Sequence, residues 1–283
     1  DKNPPGANLA DFLDSPTDGK SALAPRPEPR PPVEHRPRKL PVTSVERWVR
    51  DPYAIYADRI LGLRKLDRPG EGAEAMKRGT AVHNAIEAVM GQYLHDLPVD
   101  LEIRLAKAME RELVAAGFDE AAMARERLLA AGMAKWLAEW EVQRRQRGAT
   151  LLIEKSGHLT IDAPLGVFEV TAKADRIELD SHGAAIIDFK TGAPPSAKEV
   201  AAGYSPQLTL TGAILEAGGF APDAPAATPT ELLYVQLKGR KDAGKMVEIS
   251  KGEAETLSAQ ALADLKVYVE RFDDARTPYI SWA

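Results

Sequence analysis

The spacing of apolar positions divides the chain into a helical part followed by a part rich in strands. Apolar residues recur every three or four positions over 71–95, 99–116 and 119–147, which predicts three amphipathic helices. From residue 150 the period falls to two, which predicts strands at 151–154, 158–161, 167–179, 184–189 and 232–237, and a closing helix follows over 252–272. This order of elements predicts an α/β fold in which helices flank a mixed central sheet.

The first 40 residues differ in composition from the rest of the chain. They hold nine of the 21 prolines and few large apolar residues, so ordering them would bury little apolar surface. We therefore expect residues 1–40 to be a disordered or strap-like linker. One domain is expected over 41–283, with a helical part at about 41–147 and a sheet core at about 150–283. Thr43 and Glu46 have the spacing of a capping box, which predicts a helix start.

Composition narrows the classes of function. The 283 residues include 37 basic and 42 acidic side chains, a net charge of -5, so any contact with nucleic acid must come from a local basic surface. The absence of cysteine excludes disulfides, thiolate zinc sites, iron–sulfur clusters and cysteine nucleophiles. No apolar run approaches 18 residues, and the first residues lack the apolar core of a signal peptide. We expect a cytoplasmic fragment of a longer chain.

A predicted hairpin brings two carboxylates together. Residues 180–183 are a polar cluster of the kind that forms a tight turn, and a loop of two or four residues places Asp175 opposite Asp188. Lys190 follows two positions later and so shares the face of Asp188. Apolar residues surround Asp188 along its strand, where two unpaired carboxylates would be costly. A divalent cation held by both would remove that cost, and a plain Asp–Lys ion pair is the alternative.

Two further polar residues occur at positions that suit such a site. His83 falls on the apolar side of the 71–95 helix, which predicts either a buried histidine or a third metal ligand. Gly79, one turn earlier, would let that helix face approach another backbone closely. Ser205 and Pro206 predict a helix N-cap and first position, which places Gln207 in the first turn near the strand end.

Four motifs in this order resemble the RecB-type branch of the PD-(D/E)xK nuclease superfamily: Gly79-Thr80-Ala81-Val82-His83, Ala174-Asp175-Arg176-Ile177, Ile187-Asp188-Phe189-Lys190-Thr191-Gly192 and Gln207-Leu208. Residues 43–56 and 78–80 are also similar to the C-terminal nuclease domains of the AddB family, and the whole resemblance covers about 41–283. It implies a restriction-endonuclease-like fold and DNA hydrolysis, of exonuclease type, that depends on Mg²⁺ or Mn²⁺. It also implies a place in a double-strand-break repair helicase–nuclease, with an AddA-like partner subunit that delivers single strands of DNA.

The same resemblance assigns roles to individual residues. Asp175, Asp188, Lys190 and Gln207 would be catalytic, with Lys190 beside the attacking water and Gln207 as an orienting group; the metal ligands would be His83, Asp175, Asp188 and the backbone carbonyl of Phe189. The chain departs from the pattern in lacking the four cysteines that hold an iron–sulfur cluster in many AddB relatives, so no such cluster is expected. A second departure is Thr211, where this branch often has tyrosine.

Two other functions remain open at this point. One is an inactivated nuclease fold that guides DNA or docks a subunit. The other is a structural domain in which the acids and the lysine only form ion pairs.

Overall fold

The computed structural model describes residues 26–63, 74–240 and 242–282. In this part of the chain six strands form one mixed sheet: β1 (Lys39–Pro41), β2 (Thr150–Ala163), β3 (Gly166–Asp180), β4 (Gly183–Lys190), β5 (Pro229–Leu237) and β6 (Gly244–Glu248). The order is β1-β3-β4-β5-β6, with β2 paired to β3. The pairs β1–β3 and β4–β5 are parallel and the others antiparallel. The predicted α/β fold with a mixed sheet is confirmed.

Helices cover both faces of this sheet. The described helices are α1 (Val42–Arg50), α2 (Pro52–Ile55), α3 (Glu74–Met90), α4 (Leu101–Ala115), α5 (Glu120–Arg145), α6 (Ala197–Ala201), α7 (Gln207–Glu216) and α8 (Ala254–Asp273). A π-helical turn at Tyr56–Ile60 continues α2. The three predicted helices of the first half thus form as α3, α4 and α5, and their other described ends lie a few residues inside the predicted limits, whereas the predicted start of the first helix at 71–73 lies outside the described residues.

Two hydrophobic cores lie on opposite faces of the sheet. One core packs α1, α7 and α8 against the sheet and contains Ile186, and the other packs α3, α4 and α5 and contains Ile187 and Phe189. Side chains alternate along a strand, so β4 contributes to both cores. Its residues 184–189 are all buried, which confirms the prediction of a strand covered on both faces.

The central hairpin has the predicted register. Asp180 pairs with Gly183 and Arg176 pairs with Ile187 across β3 and β4, around a two-residue turn. The two strands predicted at 151–154 and 158–161 are instead one continuous strand, β2, which pairs with β3 from Thr150 to Ala163 except at Glu154. Strand β6 was not predicted, because its five residues are mostly exposed and carry no clear alternation.

The predicted capping box at Thr43 and Glu46 is wrong. Helix α1 begins at Val42, its N-cap is Pro41, and no side chain caps it. Thr43 is exposed within the helix, and Glu46 accepts a hydrogen bond from the Ser205 hydroxyl at 3.3 Å. The short β1 strand leads directly into α1, so the backbone enters the helix from a sheet pairing rather than from a capped turn.

Of the two alternatives for residues 1–40, a linker or a strap, the described part, 26–40, has the arrangement of a strap. Leu40 is fully buried, and the guanidinium of Arg36 is buried as well. Arg36 donates hydrogen bonds to the main-chain carbonyls of Pro31, Phe272, Asp274 and Ala275. This strap, residues 26–40, is docked against the end of α8. Residues 1–25 lie outside the described residues.

Candidate active site

Three adjacent strands place three carboxylates side by side. Continuing the β3–β4 register by one residue sets Asp175 opposite Asp188, and continuing the β2–β3 register sets Asp175 opposite Glu154. Neither of these two pairs is part of the regular ladder, which skips Glu154 and ends at Arg176 and Ile187, so the contacts described below establish which groups are close together. The two aspartates were predicted from the sequence, whereas Glu154 was not.

Asp175 joins the hairpin to helix α3. One of its oxygens, Oδ2, accepts a hydrogen bond from the backbone N–H of Phe189 at 2.8 Å and lies 3.3 Å from Nδ1 of His83. The first contact fixes the carboxylate against β4, and the second contact holds the imidazole beside it. Phe189 therefore contributes its N–H to this site.

Asp188 is buried, and two polar side chains hold its carboxylate. Nζ of Lys190 lies 2.8 Å from Oδ2, and Nε2 of Gln207 donates to Oδ1 at 2.5 Å. Lys190 also donates to Oε1 of Gln207 at 3.1 Å, which closes a triangle of three side chains. Burial, together with the charge of Asp175, raises the pKa of Asp188 to about 7.

Helix α3 presents one face to this site. Positions 79, 83 and 87 are one turn apart: Gly79 comes close to Thr191, His83 to Asp175, and Glu87 lies 3.9 Å from Lys173. A Cβ on Gly79 would lie 3.3 Å from Oγ1 of Thr191, so glycine permits this close packing.

His83 lies at the border of the apolar face of α3, because its side chain is 29% exposed. Of the two alternatives that the sequence left open for His83, a buried histidine or a metal ligand, this partial exposure does not match full burial in the core. Burial alone would lower the pKa of His83, but the hydrogen bond and charge of Asp175 and the charge of Asp188 outweigh it, so the pKa is raised. The neighbouring carboxylates Asp175 and Asp188 thus favour the protonated form of the imidazole.

Glu154 completes a cluster with His83 and Asp175. One ligand atom from each of these three side chains lies within 4.8 Å of the others. Glu154 has a φ of 53° inside a strand, a conformation that costs energy for a residue other than glycine and that occurs often at functional sites. Burial raises the pKa of Glu154, although Lys173 pairs with it at 2.5 Å and opposes the shift. The sequence contains no local signal for Glu154, because its place beside Asp175 depends on the pairing of β2 with β3.

Helix α7 begins at Gln207, as the site requires. Pro206 is the N-cap, so the predicted N-cap at Ser205 is wrong by one residue. Ser205 instead accepts a hydrogen bond from Arg50 of α1 at 2.6 Å. The hydroxyl of Thr211 donates to the main-chain carbonyl of Gln207 at 2.7 Å, inside the helix and one turn away. Thr211 therefore supports the helix that carries Gln207.

The donor set is chemically suited to a hard divalent cation. Carboxylate oxygens and a histidine nitrogen converge, which are ligands that Mg²⁺ and Mn²⁺ accept. The cluster that the structure brings together is His83, Glu154 and Asp175, while Asp188 lies one strand further and is held by Lys190 and Gln207. The predicted residues are therefore neighbours, with Glu154 added to them.

The chain belongs to the PD-(D/E)XK nuclease superfamily, whose family model matches residues 39–279. It is similar to an uncharacterized protein of Rickettsia conorii, with 28% identity over 189 residues that cover 65% of this chain and 23% of that protein. An uncharacterized protein of Rickettsia bellii is 27% identical over 188 residues, covering 65% of this chain and 22% of the relative. The match thus spans under a quarter of the length of these relatives.

Among solved structures, the crystal structure of SSO0001 matches 68% of this chain and 87% of its own, with 15% identity and a TM-score of 0.29. Within the described residues, no helix is both long enough and apolar enough to cross a bilayer.

Proposed function

We propose that this chain is a metal-dependent deoxyribonuclease that hydrolyses phosphodiester bonds. One observation carries the proposal: Glu154, Asp175 and Asp188 lie near one another on three adjacent strands, with His83 beside Asp175 and Lys190 beside Asp188. Membership of the nuclease superfamily supports it. An inactivated fold would be expected to have lost one of the two aspartates or the lysine, and all three are present.

His83, Glu154, Asp175, Asp188 and the carbonyl of Phe189 are the groups we propose to hold the metal. A bound Mg²⁺ or Mn²⁺ supplies a Lewis acid that polarises the phosphate and acidifies a water. The raised pKa of Asp188 means that this carboxyl must release a proton before it can serve as a ligand near neutral pH. The N–H of Phe189 keeps Asp175 oriented through this change.

Lys190 and Gln207 have different tasks. The ammonium of Lys190 lies beside the site and stabilises negative charge that develops on the attacked phosphate. Gln207 contacts both Lys190 and Asp188, so we assign it the role of fixing their separation. Lys190 is the last residue of strand β4, and Gln207 is the first residue of helix α7. Because both elements are largely buried, the positions of these two side chains are set before substrate binds.

We further propose a biological setting for this activity. The motif resemblance supports an exonuclease within a bacterial double-strand-break repair helicase–nuclease, similar to the nuclease domain of AddB, acting in the cytoplasm. An AddA-like subunit would then deliver single strands to this chain. The relatives that the chain matches are several times longer than the matched region, which fits a nuclease carried within a larger protein.

The first test distinguishes the role of the proposed metal ligands from that of Lys190. Asp175→Ala, Asp188→Ala and Glu154→Ala should each weaken Mn²⁺ binding in calorimetry by at least about tenfold, or 1.4 kcal/mol, because each removes a ligand. Lys190→Ala should retain Mn²⁺ binding, while cleavage of labelled DNA falls by about 10²-fold or more, the scale for loss of one preorganised charge. Matched controls are Glu255→Ala on α8 and Lys198→Ala on α6, both at exposed positions.

The outcomes distinguish three functions. If Lys190→Ala keeps full cleavage, the assigned mechanism is wrong. Wild-type protein that binds Mn²⁺ nowhere and cuts no DNA, even with a partner helicase subunit added, would favour a scaffold. In the ion-pair alternative, the aspartate and lysine variants would alter stability alike and would leave metal binding unaffected.

A further inference from the structure

A polar groove of about 400 Å³ begins at the candidate active site. Gln207 forms one end of its wall, and the remaining lining comes from β1, the start of α1, β2 and β3. Its polar lining residues are Lys39, Thr43, Ser156, His158, Glu169, Thr171, Lys173 and Gln207. Nothing in the proposed metal chemistry uses these residues apart from Gln207.

Strand pairing shows that the groove runs along β3 towards the cluster of His83, Glu154 and Asp175. Lys173 and Thr171 are two and four residues before Asp175 on β3, and Lys173 forms an ion pair with Glu154 of that cluster. Across the β2–β3 pairing Ser156 lies opposite Lys173, and His158 lies opposite Thr171. On the other side β1 places Lys39 opposite Glu169. Three neighbouring strands therefore form a floor about 10 Å wide that leads to Asp175.

The charge of the groove differs from that of the whole chain. Two lysines and one histidine face a single carboxylate, in a protein whose net charge is -5. Lys39 pairs with Glu169 at 2.8 Å, and Lys173 pairs with Glu154 at 2.5 Å, yet both lysine side chains are more than half exposed. A phosphate oxygen can therefore reach them without displacing the core. Helix α1 also starts here with no side-chain cap and no acidic residue in its first turn, so its positive end faces the groove.

The side chains that line the groove indicate which type of ligand it binds. Hydroxyl and ammonium groups contact phosphate and sugar oxygens, whereas no Phe, Tyr or Trp lines the groove to stack on a base. A floor three strands wide accommodates one nucleic-acid strand rather than a duplex. We propose that this groove, residues 39–43, 156–158, 169–173 and 207, binds the phosphodiester backbone of a single DNA strand next to the scissile bond, independently of sequence. The proposal rests on the proposed nuclease function.

The test measures how binding of a single strand depends on salt. Each phosphate contact that is lost flattens the slope of log K against log salt by about 0.7 for single strands. Anisotropy of a labelled 12-residue oligothymidylate, in EDTA so that no cleavage occurs, should show a flatter slope and weaker binding for Lys39→Ala and for Lys173→Ala. Lys266→Ala on α8 serves as the control for an exposed lysine and should match wild type. Lys39→Ala is the cleaner variant, because Lys39 does not contact Glu154.

The possible results separate the groove from the active site. If wild type binds or cuts the single strand but both groove variants keep its slope and affinity, the groove assignment is overturned while the nuclease function stands. If wild type does not bind the single strand, the groove assignment fails; the nuclease function fails with it only if wild type also cuts neither single-stranded nor duplex DNA with Mn²⁺ and a partner helicase subunit present. A hairpin duplex that binds as tightly as the single strand, with the same loss in Lys39→Ala, would overturn the choice of ligand. Unfolding midpoints of all variants confirm that they are folded.

Discussion

At the scale of single residues, the protonation state of Asp188 links the candidate active site to the free energy of unfolding. Its pKa rises from 3.8 to about 7 because the carboxylate is buried and lies beside Asp175. In the unfolded chain the same group ionises near 3.9. Below about pH 4 both states are protonated. As pH rises towards 7 only the unfolded chain loses the proton, so the metal-free fold loses stability over that interval.

Asp188→Asn should therefore stabilise the metal-free protein. Asparagine resembles the protonated carboxyl and keeps the hydrogen bond to Gln207, so it avoids the ionisation cost. The gain in the free energy of unfolding should be near zero at pH 4 and reach roughly 2–4 kcal/mol above pH 7, since one pKa unit corresponds to about 1.4 kcal/mol. Urea denaturation in EDTA at several pH values measures it. Asp96→Asn, in an exposed loop, is the control, and an equal gain at all pH values would contradict this account.

At the scale of elements, the buried Arg36 makes the largest set of contacts that hold the strap, residues 26–40, and Arg38 adds an ion pair with Asp273. Arg36 donates to four main-chain carbonyls, three of which belong to the segment that follows α8 or to its last turn. Strand β1 continues from the strap and pairs with β3, upstream of Asp175. The strap thus ties the end of the chain to the strand that carries a proposed ligand.

Arg36→Ala should destabilise the fold by at least about 2 kcal/mol, because it leaves buried carbonyls without donors. Arg30→Ala in the same strap should cost less than about 1 kcal/mol, since that side chain is about half exposed. Urea denaturation of both variants compares them directly. Equal stability of the two variants would mean that the strap is not held through Arg36. A chain starting at residue 41 should lose more stability than Arg36→Ala, because it also lacks Leu40.

At the scale of the whole molecule, local sequence patterns predicted most helices and strands. Contacts between residues far apart in the chain determine the features that the sequence did not predict, namely the place of Glu154 and the docking of the strap. The polar turn at 180–183 determines the β3–β4 register, so the pairing of Asp175 and Asp188 was accessible from the sequence. Glu154 could not be assigned in the same way, because its place depends on the long pairing of β2 with β3. The docking of the strap depends on carbonyls more than 230 residues away from Arg36, which no local pattern reveals.

The position of β4 between the two hydrophobic cores has a consequence for dynamics. A strand that is paired on both sides and covered on both faces can expose its amides only when the entire molecule opens. We expect hydrogen exchange of residues 185–189 to report the same free energy as global unfolding in urea, whereas α4, which packs against α3 and α5, should exchange through smaller openings. Mass spectrometry of exchanged peptides would show this, and exchange of β4 as fast as that of β6 would refute it. Asp188 and Lys190 would then lie at the border of the slowest-opening unit of the protein.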